Sequence, residues 1–126
     1  MQVDTLQYKA GDLIFRDGDE AQCMYLVKSG TVSIRKISQT HSIGIATIGQ
    51  NQIFGEVAFF DRSPRSADAV AVGSVELIGI PYDKLDPYFQ SAPDYLKKII
   101  HSLAQRLRDA DRTICELKEK HEMVSK

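Results

Sequence analysis

From residue 5 to residue 80 the chain is written in short β-type runs separated by turn residues. The runs are residues 5–8, Leu13–Arg16, Met24–Lys28, Thr31–Lys36, Ile43–Ile48, Ser66–Ala71 and Val75–Ile80. Val32 and Ile34 alternate with polar neighbours, the period of a strand with one buried face. Turns are expected at Ala10-Gly11-Asp12, Asp17-Gly18-Asp19, Ser29-Gly30, Gly49-Gln50-Asn51 and Gly73-Ser74, and a polar loop over residues 38–42. Short strands at this spacing, with glycine at the corners, predict a β-barrel or β-roll.

After Ile80 the period changes. Pro81-Tyr82-Asp83-Lys84-Leu85 opens a short helix expected to end near Ser91. Pro93 sits where a first-turn proline belongs, with Asp94 beside it, and one long helix is predicted from there to about Glu119. Its apolar positions, Leu96, Ile100, Leu103, Leu107, Ala110, Ile114 and Leu117, are spaced alternately four and three apart. That is a heptad stripe, which packs either on the roll or along a second copy of the same helix. The polar tail from Lys118 to Glu122 is expected to fray.

The 126 residues, 43% hydrophobic and 26% charged, describe a single domain with one core. The roll is expected over about residues 5–81 and the C-terminal helices over about 82–120. A net charge of −1 offers no basic excess for nucleic acid. No apolar run approaches the ~20 residues of a membrane span, and Met1-Gln2-Val3-Asp4 lacks the form of a signal peptide. Cys23 and Cys115 match no metal or redox spacing and read as reduced packing residues. These features point to a cytoplasmic protein with neither nucleic acid nor membrane as a direct partner. His41, His101 and His121 are scattered and form no ligand set. No clustered metal ligands, nucleophile with a base or phosphate loop of a nucleotide triphosphatase is visible, so an enzyme is not expected.

The candidate chemistry lies in residues 54–67, Phe-Gly-Glu-Val-Ala-Phe-Phe-Asp-Arg-Ser-Pro-Arg-Ser-Ala. Gly55 permits close backbone approach, and the first N–H groups of a short helix suit an oxyanion. Glu56 is an acceptor only, so it serves either as a helix-start residue or as the partner of a donor such as a sugar hydroxyl. Arg65 enters a strand whose alternation puts it on the side of Ala67, Ala69 and Ala71. An arginine on the inner face of a roll needs an anion, supplied either by Glu56 or Asp61 or by a bound phosphate. Phe59 and Phe60 read as core residues.

This stretch resembles the phosphate-binding cassette of cyclic nucleotide-binding domains, with Phe54-Gly55-Glu56-Val57-Ala58, a spacer, and Pro64-Arg65-Ser66-Ala67. Gly11-Asp12-Leu13-Ile14-Phe15, Gly18-Asp19, Tyr25 and Ser29-Gly30-Thr31-Val32 extend the likeness upstream, and Ala92-Pro93-Asp94 with the long helix extends it downstream. The resemblance implies an α+β fold: an antiparallel β-roll with a short cassette helix and a long C-terminal helix. It implies a 3′,5′-cyclic nucleotide as ligand, cAMP first and cGMP as the alternative, with no cofactor or metal. It assigns Glu56 to the ribose 2′-hydroxyl, with the Gly55 backbone beside it. Arg65 and the N–H groups of Ala58 and Ser66 are assigned to the phosphate, and Ile34 and Ile48 to the base pocket. Bacterial members offer adjacent hydroxyls to the base from the long helix, whereas the matching residues here are Ala110 and Asp111. Asp111, Arg108 or Arg112 is expected to meet the base edge, or Ile114 to cap it.

The leading expectation is therefore a sensor that signals through movement of the long helix, as a homodimer along that helix or with an effector domain or protein. It is expected to be either stand-alone or a regulatory piece of a longer protein. The alternative is an interaction protein whose roll no longer binds ligand.

Overall fold

The computed structural model describes residues 4–38 and 41–124. Six strands form one antiparallel sheet: β1 (Asp4–Tyr8), β2 (Leu13–Phe15), β3 (Cys23–Ser38), β4 (His41–Ile48), β5 (Ile53–Phe54) and β6 (Asp68–Pro81). Three helices complete the molecule: α1 (Val57–Asp61), α2 (Tyr82–Gln90) and α3 (Asp94–Val124). The sheet order is β1-β6-β3-β4, with β2 also on β6 and β5 also on β3. The expected α+β class, with a roll followed by helices, is the observed one.

Two pairs of expected strands are single long strands. β3 runs through Ser29-Gly30 and β6 through Gly73-Ser74, and they pair with each other from Cys23↔Pro81 to Arg35↔Asp68. The register shifts on both sides of Ser29. Gly30 permits this crossing. It has φ +94°, and a Cβ there would lie 2.4 Å from Ser74 O. The glycine that signals a turn in the sequence thus serves a bulge inside a strand. The expected loop at 38–42 is shorter than predicted, because Ser38 pairs with His41 and residues 39–40 lie outside the described residues. β5 had no strand signal of its own at two residues.

β3 carries two buried faces. Tyr25, Val27 and Val32 point into the roll with Phe54, Ala69, Ala71, Val75 and Leu77. Met24 points the other way and packs with Ala58, Phe59 and Tyr82. Phe59 and Leu77 are almost wholly buried, each contributing about 1.5–3 kcal/mol by leaving water. Phe59 is a core residue as expected, in the cluster that seats α1 and α2 outside the roll. Cys115 is buried, and neither it nor Cys23 forms a disulfide.

α3 continues to Val124, past the expected end, and the segment expected to fray is helical. Its inward face coincides only in part with the apolar stripe, through half-buried Ile100 and through Leu107, which lines a cavity. Ala104 and Cys115 are buried and Arg108 and Asp111 are partly buried, whereas Leu96, Leu103, Leu107, Ala110, Ile114 and Leu117 are exposed. Lys118 Nζ donates to Gly44 O on β4 at 2.5 Å, which fastens the distal part of α3 to the roll. No described helix is long and apolar enough to cross a membrane.

Candidate functional site

Arg65 is the most buried charge among the described residues, with 5% of its surface exposed. The turn Asp17-Gly18-Asp19 holds its backbone: Arg65 N donates to Asp19 O at 2.9 Å, and Gly18 N donates to Arg65 O at 2.7 Å. Alternation then follows as expected, with Arg65, Ala67, Ala69 and Ala71 all buried on one side. The strand itself begins at Asp68, so Ser66 and Ala67 precede it.

The guanidinium forms no ion pair with a carboxylate among the described residues. Nη1 donates to Gly55 O at 3.0 Å and to Tyr82 Oη at 3.2 Å, and Nη2 donates to Cys23 O at 2.5 Å. Its plane lies over the Phe15 ring, 4.1 Å from the centroid. Asp61 is taken by Arg108, and Glu56 forms no ion pair with Arg65 among the described residues, although the Arg65 charge favours its ionised form. Nε has no protein acceptor among the described residues, and no fully buried side-chain nitrogen or oxygen there lacks a partner. Nε is therefore not sealed inside the protein, and Arg65 is part of the wall of a cavity.

Gly55 makes this approach possible. It has φ +82°, and a Cβ at this position would lie 2.7 Å from Arg65 Nη1. The chain then enters α1, whose first residues Val57 and Ala58 have N–H groups with no acceptor inside the helix. Glu56 occupies the cap position without a side-chain cap bond and lines the cavity. Phe54 closes the floor by stacking on Tyr25 at 5.0 Å.

One cavity gathers these residues. Phe54, Gly55, Glu56, Val57, Ala58, Arg65, Ser66 and Ala67 line it from the cassette, and Ile34 and Ile48 line it from β3 and β4. α3 closes the far side with Leu107, Arg108 and Asp111. Ala110 is exposed and does not line the cavity. One residue from Asp111 is a ~100° rotation around a helix, enough to turn Ala110 away. Ile114 and Arg112 are likewise outside it. Phe15, Ile45, Ala46 and Ile53 line the cavity without having been singled out from the sequence. They are ordinary apolar strand residues, and only the curvature of the sheet selects them.

The electrostatics of the cavity are uneven. Burial pushes the Glu56 carboxyl above its ordinary value, its backbone hydrogen bond opposes this, Asp111 adds to it and Arg65 opposes it. Burial likewise raises Asp111, against the pull of Arg108 and Lys36. Arg108 is committed to Asp61 and Ser63. Arg65 is thus a cation on the cavity wall with no carboxylate partner among the described residues, and the Glu56 and Asp111 carboxyls line the same cavity as acceptors. The arrangement suits a ligand that carries one anionic group and separate donors.

Such a roll, with a buried arginine in the wall of a helix-covered cavity, is a fold with a candidate small-ligand site. The family model described as "Cyclic nucleotide-binding domain" matches residues 5–92, and the chain belongs to that family. It is 26% identical over 117 residues to a CRP-like cAMP-activated global transcriptional regulator of Mycobacterium tuberculosis, covering 92% of this chain and 52% of the relative. It is 36% identical over 108 residues to the cyclic AMP receptor protein of Thermus thermophilus, covering 82% of this chain and 49% of the relative. The chain thus spans about half the length of these curated relatives. The EAL enzyme Bd1971 in its cGMP-bound form superposes with a TM-score of 0.79 at 27% identity, covering 83% of this chain and 28% of that one.

Proposed function

We propose that the cavity binds a 3′,5′-cyclic nucleotide, cAMP first, with cGMP as the alternative, and that α3 reports its occupancy. The observation that carries this reading is Arg65: a buried guanidinium that lines the cavity, with no carboxylate partner among the described residues and no protein acceptor for Nε, which leaves its Nε–Nη2 edge as the one we assign to the ligand. That edge suits two oxygens of a phosphodiester. Glu56 accepts the ribose 2′-hydroxyl, and the N–H groups of Ala58 and Ser66 complete the phosphate site. The base lies between Ile34 and Ile48 on one side and α3 on the other, with Leu107 against its face. Asp111 is the α3 polar group on its edge; an adenine amino group and the N1–H and amino pair of guanine are both donors for it. Family membership and relatives named for cAMP support the ligand class.

The exposed stripe of α3 supports a parallel homodimer along that helix, the seam left free because α3 docks by another face. Calorimetric titration with cAMP and cGMP tests the site. Wild type binds at least one of them, and Arg65→Leu loses about 2–5 kcal/mol, at least about tenfold in affinity. Equal binding by Arg65→Leu removes Arg65 from the phosphate. Binding of neither nucleotide by wild type removes the sensor reading and leaves an interaction protein.

A further inference from the structure

Arg65 is held from three sides before any ligand arrives. Two of its acceptors, Gly55 O and Cys23 O, are backbone groups of the cassette and β3. The third is Tyr82 Oη, the side-chain acceptor of Arg65 among the described residues, and it comes from the first residue of α2. Tyr82 is itself immobilised at both ends. Its N–H donates to Gln22 O at 2.9 Å, its ring packs 5.0 Å from Phe59, and its hydroxyl donates to Gly55 O. With its one hydrogen spent on Gly55 O, the phenol oxygen turns lone pairs towards Arg65 Nη1. Burial, the largest influence on this phenol, pushes its pKa up and keeps it the neutral donor this geometry needs.

We propose that Tyr82 is a positioning residue for Arg65: its hydroxyl, clamped to Gly55 O, pins Nη1 and so presents the Nε–Nη2 edge to the ligand phosphate. The proposal rests on the reading that the cavity takes a cyclic nucleotide. The phosphate takes hydrogens on the Nε side that the protein leaves free, so the Tyr82 contact persists in the complex and does not compete with it. A guanidinium on a flexible stem loses less freedom on binding when its orientation is set beforehand.

The test is Tyr82→Phe in the full chain, which keeps the ring against Phe59 and removes only the hydroxyl. Titration with cAMP and with cGMP shows a loss of about 3- to 10-fold relative to wild type. The second arm needs no ligand. Side-chain 15N spectra of Arg65 show separate, hindered Nη signals in wild type and averaged ones in Tyr82→Phe. Affinity within about twofold of wild type overturns the proposal. So does an affinity loss accompanied by an unchanged Arg65 spectrum, because Tyr82 then acts through the packing of α2 alone. If wild type binds neither nucleotide, the sensor reading falls, and the Arg65 spectrum alone decides whether Tyr82 orients the guanidinium.

Discussion

Arg108 on α3 and Asp61 at the end of α1 form a two-pronged ion pair, Nε on one carboxylate oxygen and Nη2 on the other at 3.1 Å. Arg108 Nη2 also reaches Ser63 Oγ, which in turn donates to Asp61. The pair ties the covering helix to the turn that delivers Arg65.

Removing the tether frees the helix. The Arg108 and Asp61 side chains are 16% and 7% exposed, so Arg108→Met strands a mostly buried carboxylate and costs about 1–3 kcal/mol. Amide exchange across residues 104–115 accelerates while the strands keep their protection. Burial pushes the Asp61 carboxyl up, but the hydrogen bonds from Arg108 and Ser63 outweigh it and hold the group below its ordinary 3.8. A lowered folded value means that this contribution is full above 3.8 and is lost as pH falls through the folded value. Wild-type α3 thus stays docked from neutral to mildly acidic pH and is released only in acid. An exchange pattern unchanged in Arg108→Met removes the tether.

Glu56 has the opposite sign. Its folded value is raised, mainly by burial, so the ligand-free protein is stabilised below 4.5 and loses that contribution as pH rises through the higher folded value. Glu56→Gln flattens this slope in denaturant melts taken across the range. The ionised form is the acceptor for a ribose hydroxyl, so nucleotide affinity rises over the same window, and 2′-deoxy-cAMP binds distinctly worse than cAMP. Equal affinity for the two ligands excludes the ribose contact.

Gly55→Ala brings two penalties together. The residue keeps a positive φ, worth about 1–2 kcal/mol against alanine, and its Cβ meets Arg65 Nη1. Urea melts show that loss, and nucleotide affinity falls because the guanidinium must move. A variant of wild-type affinity shows that the position of Arg65 is not critical.

The α3 stripe predicts assembly without folding. Leu103 and Leu117 are 57% and 61% exposed, so Leu103→Glu with Leu117→Glu leaves the thermal midpoint nearly unchanged. Sedimentation at micromolar concentration gives a dimer for wild type and a monomer for the double variant. A wild-type monomer both with and without nucleotide ends the proposal of a seam.

Much of the site is local and therefore legible in the chain. Gly55, Glu56 and Arg65 stand within one stretch, and the period of two carries Arg65 to the buried side with Ala67, Ala69 and Ala71. The strand runs are legible for the same reason, although Gly30 and Gly73 read as breaks where the strands continue. The helix-covered wall is a different matter. Apolar periodicity left open whether the α3 stripe packs on the roll or on a second copy; Leu107 of that stripe lines the cavity, and Arg108 and Asp111, which carry no apolar signal, turn inward with it. Arg108 finds Asp61, and Asp111 finds the cavity.

The sequence by itself determined the roll, the turns at Gly11, Gly18 and Asn51 and the long helix, because each is encoded in short-range spacing and turn chemistry, and it showed the cassette through its resemblance to a known family. Only the tertiary structure decided which face of α3 covers the cavity, that Arg65 rests on Gly55 O, Cys23 O and Tyr82 rather than on a carboxylate, and that Ala110 stands outside. The physical reason is that these relationships join groups far apart in the chain, through charge pairing and hydrogen-bond geometry. Neither leaves a periodic trace in the order of residues.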